Sequence, residues 1–412
     1  MWLDDSRARQ LIIAAALVGI ALRLTFGLLY WTNKPLTHDE REYLVLAANL
    51  AEGRGFVYDG ASDVGTGQWF GRAPGYPLLL AAIGAGSTAA GSSPARVKVI
   101  QAIIGGGIVW VVGVWALRSG GPGAGVAASA IAAVYPPLVW MPAYVLSETL
   151  YSAAALLAAL LLQVAVDESR SSNSNRAGGS LALGAGVVAG AATLVRPAML
   201  FFLPAALIWL LLTRRAILAF ALIAGTVAVV SPWTVRNLRV HERFILVASE
   251  GGVTFWTGNH PLARGEGDLA ANPELKRAEL DFRRAHPGLS SEELEPLYYR
   301  AALQWIVQHP GEWIALLFRK MYYVIVPTGP SYAVHSFRYR VASIVSYVLL
   351  LPLAAVGMPR LARGRRPPAV LFLLAASAVL VCLLFFPQER FRIPVIDPVL
   401  IICVGGLVQP RP

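Results

Sequence analysis

Asp39 and Glu40 stand side by side in the stretch THDEREY, directly after an apolar run. That run, QLIIAAALVGIALRLTFGLLYW, is broken only by Arg23 and is long enough to cross a bilayer. Membrane exits normally carry Lys, Arg, Trp and Tyr, so an acidic pair needs a reason. One reason is chemical: a carboxylate at a membrane surface suits a general base. The other is local: acids in the first turn of EREYLVLAANLAEG oppose the positive end of a helix dipole. A third acid, Glu148, lies between two apolar runs in YPPLVWMPAYVLSETLYSAAALL. Ionisable groups at such a boundary are costly and point to function. The competing reading is a helix start, with Ser147 capping and Glu148 in the first turn.

Arginines supply the complementary charge, because their planar fork fits phosphate oxygens. Arg72 precedes APGYP, Arg236 and Asn237 follow SPWTV, and Arg390 and Arg392 flank Phe391 before a proline. Arg196, before Pro197 at the end of an apolar run, reads as an ordinary snorkelling arginine. The run SEGGVTFWTGNHP brings Gly251, Gly252 and Gly258 near aromatics and Asn259, and glycines allow close backbone approach. No phosphate-binding loop of the GxxxxGK[ST] type, no HExxH, no CxxC and no Gly-x-Ser-x-Gly elbow is present. The expectation is therefore no cofactor and no metal site, except that Asp39 and Glu148 are oxygen ligands of the kind a hard divalent cation accepts.

Composition defines what must position these residues. The chain is 412 residues long, 56% hydrophobic and 14% charged, against about 25% charged in a typical soluble domain. Such a chain is a polytopic, all-α membrane protein. Its net charge of +11 is scattered between apolar runs, which argues against nucleic acid and for topology-setting loops. Cys382 and Cys403 sit inside apolar segments and read as packing residues. The first apolar segment lacks a small-residue cleavage site and reads as a retained helix.

Twelve segments have spanning character. Two of them, 73–91 and 310–327, upset the placement of the basic loops if they span. The first carries Pro74, Pro77 and several glycines, and the second carries Arg319 and Lys320 mid-segment. With both laid along the surface, Arg7, Arg9, Arg118, the loop DESRSSNSNR, Arg214, Arg215 and RLARGRRPP all fall on the cytoplasmic side. This leaves ten spans, seven and then three. The expected organisation is a membrane module over 1–234 with its first outer loop at 32–96, an outer segment over 235–340, and C-terminal spans over 341–412. Residues 235–309 hold nine Arg or Lys and ten Asp or Glu, with a capping box from Ser290 to Glu293 that predicts a helix ending before Pro310. Asp39, Glu148, Arg236 and Arg390 all fall on the outer face.

The ordered set THDEREYLVLAANLAEGRG, GRAPGYPLLLA, YPPLVWMPAYVLSETLY, LVRPAML, SPWTVRNLRVHERFILVASEGGVTFWTGNHP and ERFRIP resembles bacterial membrane glycosyltransferases of the C-type fold. It is most similar to the dolichyl-phosphate-mannose protein mannosyltransferase group, which includes the lipid A aminoarabinose transferases. The resemblance covers nearly the whole chain. It implies transfer of a sugar from a polyprenyl phosphate to a protein, lipid or glycan acceptor, at the outer face of the bacterial cytoplasmic membrane. By resemblance Asp39 matches the catalytic base, Glu40 its neighbour, and Glu148 the second acidic position. Tyr43, Arg72 and Tyr76 match positions near the donor phosphate, and Arg390 and Arg392 match a late phosphate-holding motif. Relatives often carry Lys near Arg72. The rival class is a transporter, which predicts internal repeats and broken helices near the midplane; no convincing repeat is visible and the polar residues gather at one face.

Overall fold

A computed structural model of the protein describes residues 4–57, 71–171, 175–267, 269, 271–326, 336–364 and 366–408. Parts of several sequence features, residues 58–70 of the 32–96 loop, 172–174 of DESRSSNSNR, 268, 270 and 327–335 of the outer segment, and 365 and 409–412 of the C-terminal part, lie outside the described residues.

The chain opens with α1 (Asp5–Thr25), extended by one wider turn over Phe26–Tyr30. Next come α2 (His38–Ala51) and the short α3 (Gly75–Ala82). The first bundle continues with α4 (Ala95–Gly120), α5 (Pro122–Val134), α6 (Pro136–Trp140), α7 (Glu148–Ser171), α8 (Asn175–Val195), α9 (Phe202–Leu212) and α10 (Ala216–His241). A polar insertion follows: α11 (Gly251–Gly258), α12 (Pro273–Arg284), α13 (Ser291–Gln308) and α14 (Pro310–Ile325). The chain returns through α15 (Phe337–Ala362), α16 (Ala369–Leu384), the single turn α17 (Glu389–Arg392) and α18 (Ile396–Gly405). No strand is formed among the described residues.

Six helices are long and apolar enough to cross a bilayer: α1, α4, α7, α8, α10 and α15. A seventh candidate is the bent pair of α5 with Pro136–Ala143, folded by 60° at the break. Three shorter apolar helices lie at Pro197–Leu212, Ala369–Leu384 and Ile396–Val408. The protein is thus a multi-pass, all-α membrane protein, and these elements coincide with the ten segments read as spans. The segment 73–91 contains only the eight-residue α3, which rises about 12 Å, well short of the hydrocarbon thickness. In α14, Leu316, Lys320 and Val324 are buried at four-residue spacing while Ile314, Phe318 and Tyr322 stay exposed. One face grips the protein and the other suits a bilayer surface.

The broken span explains Arg23. Where α5 stops before Pro136, its last carbonyls lose their helical donors. The buried Arg23 guanidinium donates to Ala133 O at 3.3 Å and Ala132 O at 3.2 Å, as well as to Gly19 O one turn back. A charge inside an apolar span is therefore held by the carbonyls it completes.

Small residues set a close helix crossing. A Cβ on Gly186 would stand 2.2 Å from Leu222 O, and one on Gly225 would stand 2.4 Å from Leu183 O. The α8 and α10 backbones therefore touch directly, as membrane helices do at small-residue interfaces. One large apolar cluster runs from Leu36 to Val404 and joins early and late spans, while a smaller one, Trp256, Leu275, Leu294, Tyr298 and Ala302, holds the insertion together. The capping box is complete: Ser290 Oγ accepts from Glu293 N, and Ser290 N donates to the Glu293 carboxylate. The helix ends at Gln308, before Pro310.

The two ends of the bundle differ. At one end Arg118 pairs with Asp167 at 3.0 Å, Arg215 donates to Val166 O, and Arg360 donates to Leu407 O. Asp39, Glu148, Arg196 and Arg390 gather at the other end, beneath the polar insertion. Cys382 and Cys403 are free and buried.

Candidate active site

The site begins with how α2 starts. Thr37 Oγ1 accepts from Glu40 N, and Thr37 N donates to Glu40 Oε2 at 2.8 Å. The other Glu40 oxygen accepts from Val145 N, also at 2.8 Å. Glu40 is 2% exposed, with both carboxylate oxygens committed to backbone. It ties α2 to the segment before α7 and does not line the cavity. The helix-start reading describes its geometry.

Asp39, one residue earlier, points the other way. Arg72 donates to Asp39 Oδ1 at 2.8 Å and Arg390 donates to Oδ2 at 2.5 Å. Burial acts to raise the Asp39 pKa, but the two guanidiniums outweigh it and hold the carboxyl below the usual carboxylate range. Arg72 is in turn surrounded by acids. It hydrogen-bonds Glu42 through Nε at 2.8 Å and through Nη2, and pairs with Glu250 at 3.2 Å. Against burial, these carboxylates raise its pKa well above the usual value. Glu42 also faces His38 at 3.3 Å. Arg72 lies over the Tyr43 ring, and Tyr43 OH reaches Ser147 Oγ at 3.4 Å.

A two-bond clamp sets Arg72 against Glu250. Gly71 N donates to Ser249 Oγ and Ser249 N donates to Gly71 O, both at 3.0 Å. The motifs GRAPGYP and SEGG, far apart in the chain, are laid edge to edge by it. The SEGG glycines let α11 sit on α13: a Cβ on Gly252 would stand 2.4 Å from Glu295 O. Gly252 N donates to Glu295 Oε1 at 3.3 Å. Burial nevertheless pushes the Glu295 carboxyl up to about 7.

Two cavities meet at the Asp39–Arg390 pair. The first, about 460 Å³, has a polar end near Arg72, Glu250, Glu295 and Tyr299, and an apolar flank of Leu200, Phe201, Val381 and Phe385. Glu148 and Arg196 line it and form an ion pair at 2.6 Å. Glu148 is 2% exposed, and its Oε2 has no hydrogen-bond partner. Arg196 and Arg390 pack against the same Phe391 ring, at 5.0 and 5.2 Å from its centre. The second cavity, about 710 Å³, lies beyond Asp39 and is lined by Trp31, Thr37, His38, Tyr144, Tyr339 and Gln388 among others.

The residues singled out by sequence thus separate. Asp39, Tyr43, Arg72, Glu148 and Arg390 line the first cavity. Tyr76 is fully buried behind Tyr43, edge-on to its ring. Asn237 donates to Ile245 O at 3.0 Å and supports the approach to SEGG, while Arg236 packs over Trp233 and Phe56. Asn259 donates to Leu384 O and accepts from Lys320 and Trp313, fastening α11 and α14 to the end of α16. Arg392 turns inward, 2.8 Å from the buried Asp397 and over Tyr347. Arg390 and Arg392 were both matched to a phosphate-holding motif, but the single turn α17 points Arg390 to the cavity and Arg392 to the core.

Arg196 corrects the snorkelling reading, because it faces the cavity and pairs with Glu148 rather than reaching for the surface. Glu42, Glu250, Glu295 and Tyr299 were also missed. The signal for Glu250 was its place in SEGG; the others needed the packing of α2 and α13. Among the described residues no group of three or more His, Cys, Asp or Glu is placed to hold a metal. Both Asp39 oxygens accept from arginines, and one oxygen of Glu148 pairs with Arg196.

No family model and no curated protein matches the chain. Solved structures do. An archaeal oligosaccharyltransferase, AglB from Archaeoglobus fulgidus, in complex with an inhibitory peptide and a dolichol-phosphate, superposes with a TM-score of 0.57 at 14% identity, over 99% of this chain and 50% of that one. The same archaeal enzyme tethered to an acceptor peptide gives 0.59 at 12% identity, over 98% and 50%. This chain spans about half the length of those archaeal structures. ArnT from Cupriavidus metallidurans bound to undecaprenyl phosphate also matches, at a TM-score of 0.39 and 14% identity, over 97% and 77%. The archaeal superpositions show that this chain has the C-type membrane glycosyltransferase fold, as its ordered motifs led one to expect.

Proposed function

We propose that the protein is a glycosyltransferase that moves a sugar from a polyprenyl-phosphate donor to an acceptor, at the extracytoplasmic face of a bacterial cytoplasmic membrane. The observation that carries this reading is Asp39, gripped by two arginines where two cavities meet. The apolar flank of the first cavity suits a lipid chain, and Arg196 and Arg390 beside one aromatic ring suit its phosphate. The sugar then reaches toward Asp39, and the acceptor enters from the second cavity. The fold and the dolichol-phosphate bound by the archaeal oligosaccharyltransferase support the donor class.

The chemistry follows from these charges. The acceptor nucleophile bonds to the anomeric carbon as the bond to the phosphate oxygen breaks, and that electron pair leaves on the phosphate. Arg196 and Arg390 stabilise the departing charge. The acceptor's proton passes to Asp39. With its pKa held low, Asp39 is a weak base toward a free hydroxyl, so it orients the nucleophile and takes the proton as the new bond forms. Arg72 acts through Asp39 as a positioning residue.

The transporter reading loses its best feature at Arg23. A broken span serves a transporter when unwound carbonyls coordinate substrate ions, and here Arg23 covers two of them. The test uses purified protein with labelled sugar-phosphopolyprenols and native membranes as the acceptor source. Transfer by wild type and its loss in Asp39→Asn is the expected result. Flux of intact donor across liposomes without transfer would replace this reading with the transporter.

A further inference from the structure

The charged groups around the first cavity are unequally satisfied, and that inequality bears on which sugar it takes. This argument rests on the donor reading above. Each arginine that lines the cavity is already matched: Arg72 to Asp39, Glu42 and Glu250, Arg196 to Glu148, and Arg390 to Asp39. The carboxylates have capacity to spare. Glu148 Oε2 lies buried at the cavity wall without a hydrogen-bond partner. Glu250 meets Arg72 through one oxygen, and its side chain stays 30% exposed. Glu295 stands beside it on the same wall, anchored by one oxygen to Gly252 N. Thr254, also on the wall, spends its hydroxyl proton on Glu250 O at 2.6 Å. The cavity wall therefore presents three carboxylates with unspent hydrogen-bonding capacity, close to the Tyr299 hydroxyl.

We propose that Glu148, Glu250 and Glu295 form the sugar-reading wall of the donor site, which accepts hydrogen bonds from the hydroxyl or ammonium groups of the donor sugar and rejects a sugar carrying a carboxylate. A sugar hydroxyl completes an acceptor that is otherwise buried and unmet, which is the situation in which a hydrogen bond discriminates most strongly. A uronate would instead add a negative charge beside carboxylates whose arginines are already shared. Burial already raises the pKa of Glu250 and Glu295, and another anion would work in the same costly direction.

The test measures binding, so it needs no acceptor. Farnesyl phosphate, bare or carrying glucose, glucosamine or glucuronate, is titrated against detergent-purified wild type, Glu250→Gln and Glu295→Gln. The expected result is that wild type binds the glucose and glucosamine donors at least tenfold more tightly than the glucuronate donor. In either variant that ratio should shrink by fivefold or more. The ratio is internal to each protein, so altered folding or a general loss of affinity does not imitate it. Equal binding of glucose and glucuronate donors by wild type overturns the proposal, as does an unchanged ratio in both variants. If bare farnesyl phosphate fails to bind wild type, the lipid-phosphate reading itself falls and takes the proposal with it; bare-lipid binding without sugar discrimination leaves the donor reading standing and removes the wall alone.

Discussion

Asp39 and Glu40 differ by one helical step, and that step separates their roles. Glu40 completes a capping box and holds Val145 N; Asp39 faces two cavities and two guanidiniums. Asp39→Asn keeps the shape and removes the base, and is expected to cut the transfer rate by about 10²–10⁴, measured as single-turnover rates with a saturating donor. Glu40→Gln should leave chemistry largely intact and lower the melting temperature instead. The pH behaviour of the pair of acids Asp39 and Glu295 runs in opposite senses. The Asp39 pKa is depressed in the folded state, so its stabilising contribution is present above about pH 4 and is lost as pH falls through the lowered value. The Glu295 pKa is raised to about 7, so its favourable contribution is fully present below about pH 4 and is lost as pH rises from there to about 7. Thermal melts between pH 4 and pH 7 should therefore show wild type losing stability that Glu295→Gln retains. A parallel decline in both proteins would remove Glu295 as the titrating group.

At the scale of elements, two close approaches carry the site. Gly252 lets α11 rest on α13, and a Cβ there would collide with backbone rather than with a side chain that can move. Gly252→Ala is expected to cost about 1–3 kcal/mol of stability and to weaken donor binding, because Glu250 and Glu295 would part. Calorimetry alongside donor titration checks both effects. The second device is the Arg23 clasp on the broken span of α5 and α6. Replacing Arg23 with Met leaves the Ala132 and Ala133 carbonyls unmet in an apolar setting, with an expected loss of about 1–3 kcal/mol. Donor affinity should change little, since Arg23 does not line the first cavity.

For the whole molecule, the polar insertion is fastened to the membrane bundle at several points. Ser249 binds Gly71, Asn259 binds Leu384, and the fully buried Lys320 reaches both Asn259 and Leu383 O. The basic loops predict this insertion outside and the basic end of the bundle inside. A membrane-impermeant thiol reagent applied to intact cells should label Arg284→Cys, on exposed α12, and should label Thr213→Cys only after permeabilisation; the reverse pattern would invert the protein. Much of this arrangement was legible in the sequence. Apolar length pointed to a multi-pass, all-α chain, and among the described residues six or seven helices are long and apolar enough to cross a bilayer. The Ser290–Glu293 spacing determined the start of α13, because a capping box is a local device whose partners are three residues apart. What the sequence could not supply were the partners. Asp39 and Arg390 are held 2.5 Å apart across almost the whole chain, and Arg196 meets Glu148 only after α7 and α8 are packed. Local periodicity says which residues share a helix face, but not which face of which helix closes over it. That choice is made by side chains packing in three dimensions, and it decided that Arg390 serves the cavity while Arg392, two residues on, serves the core.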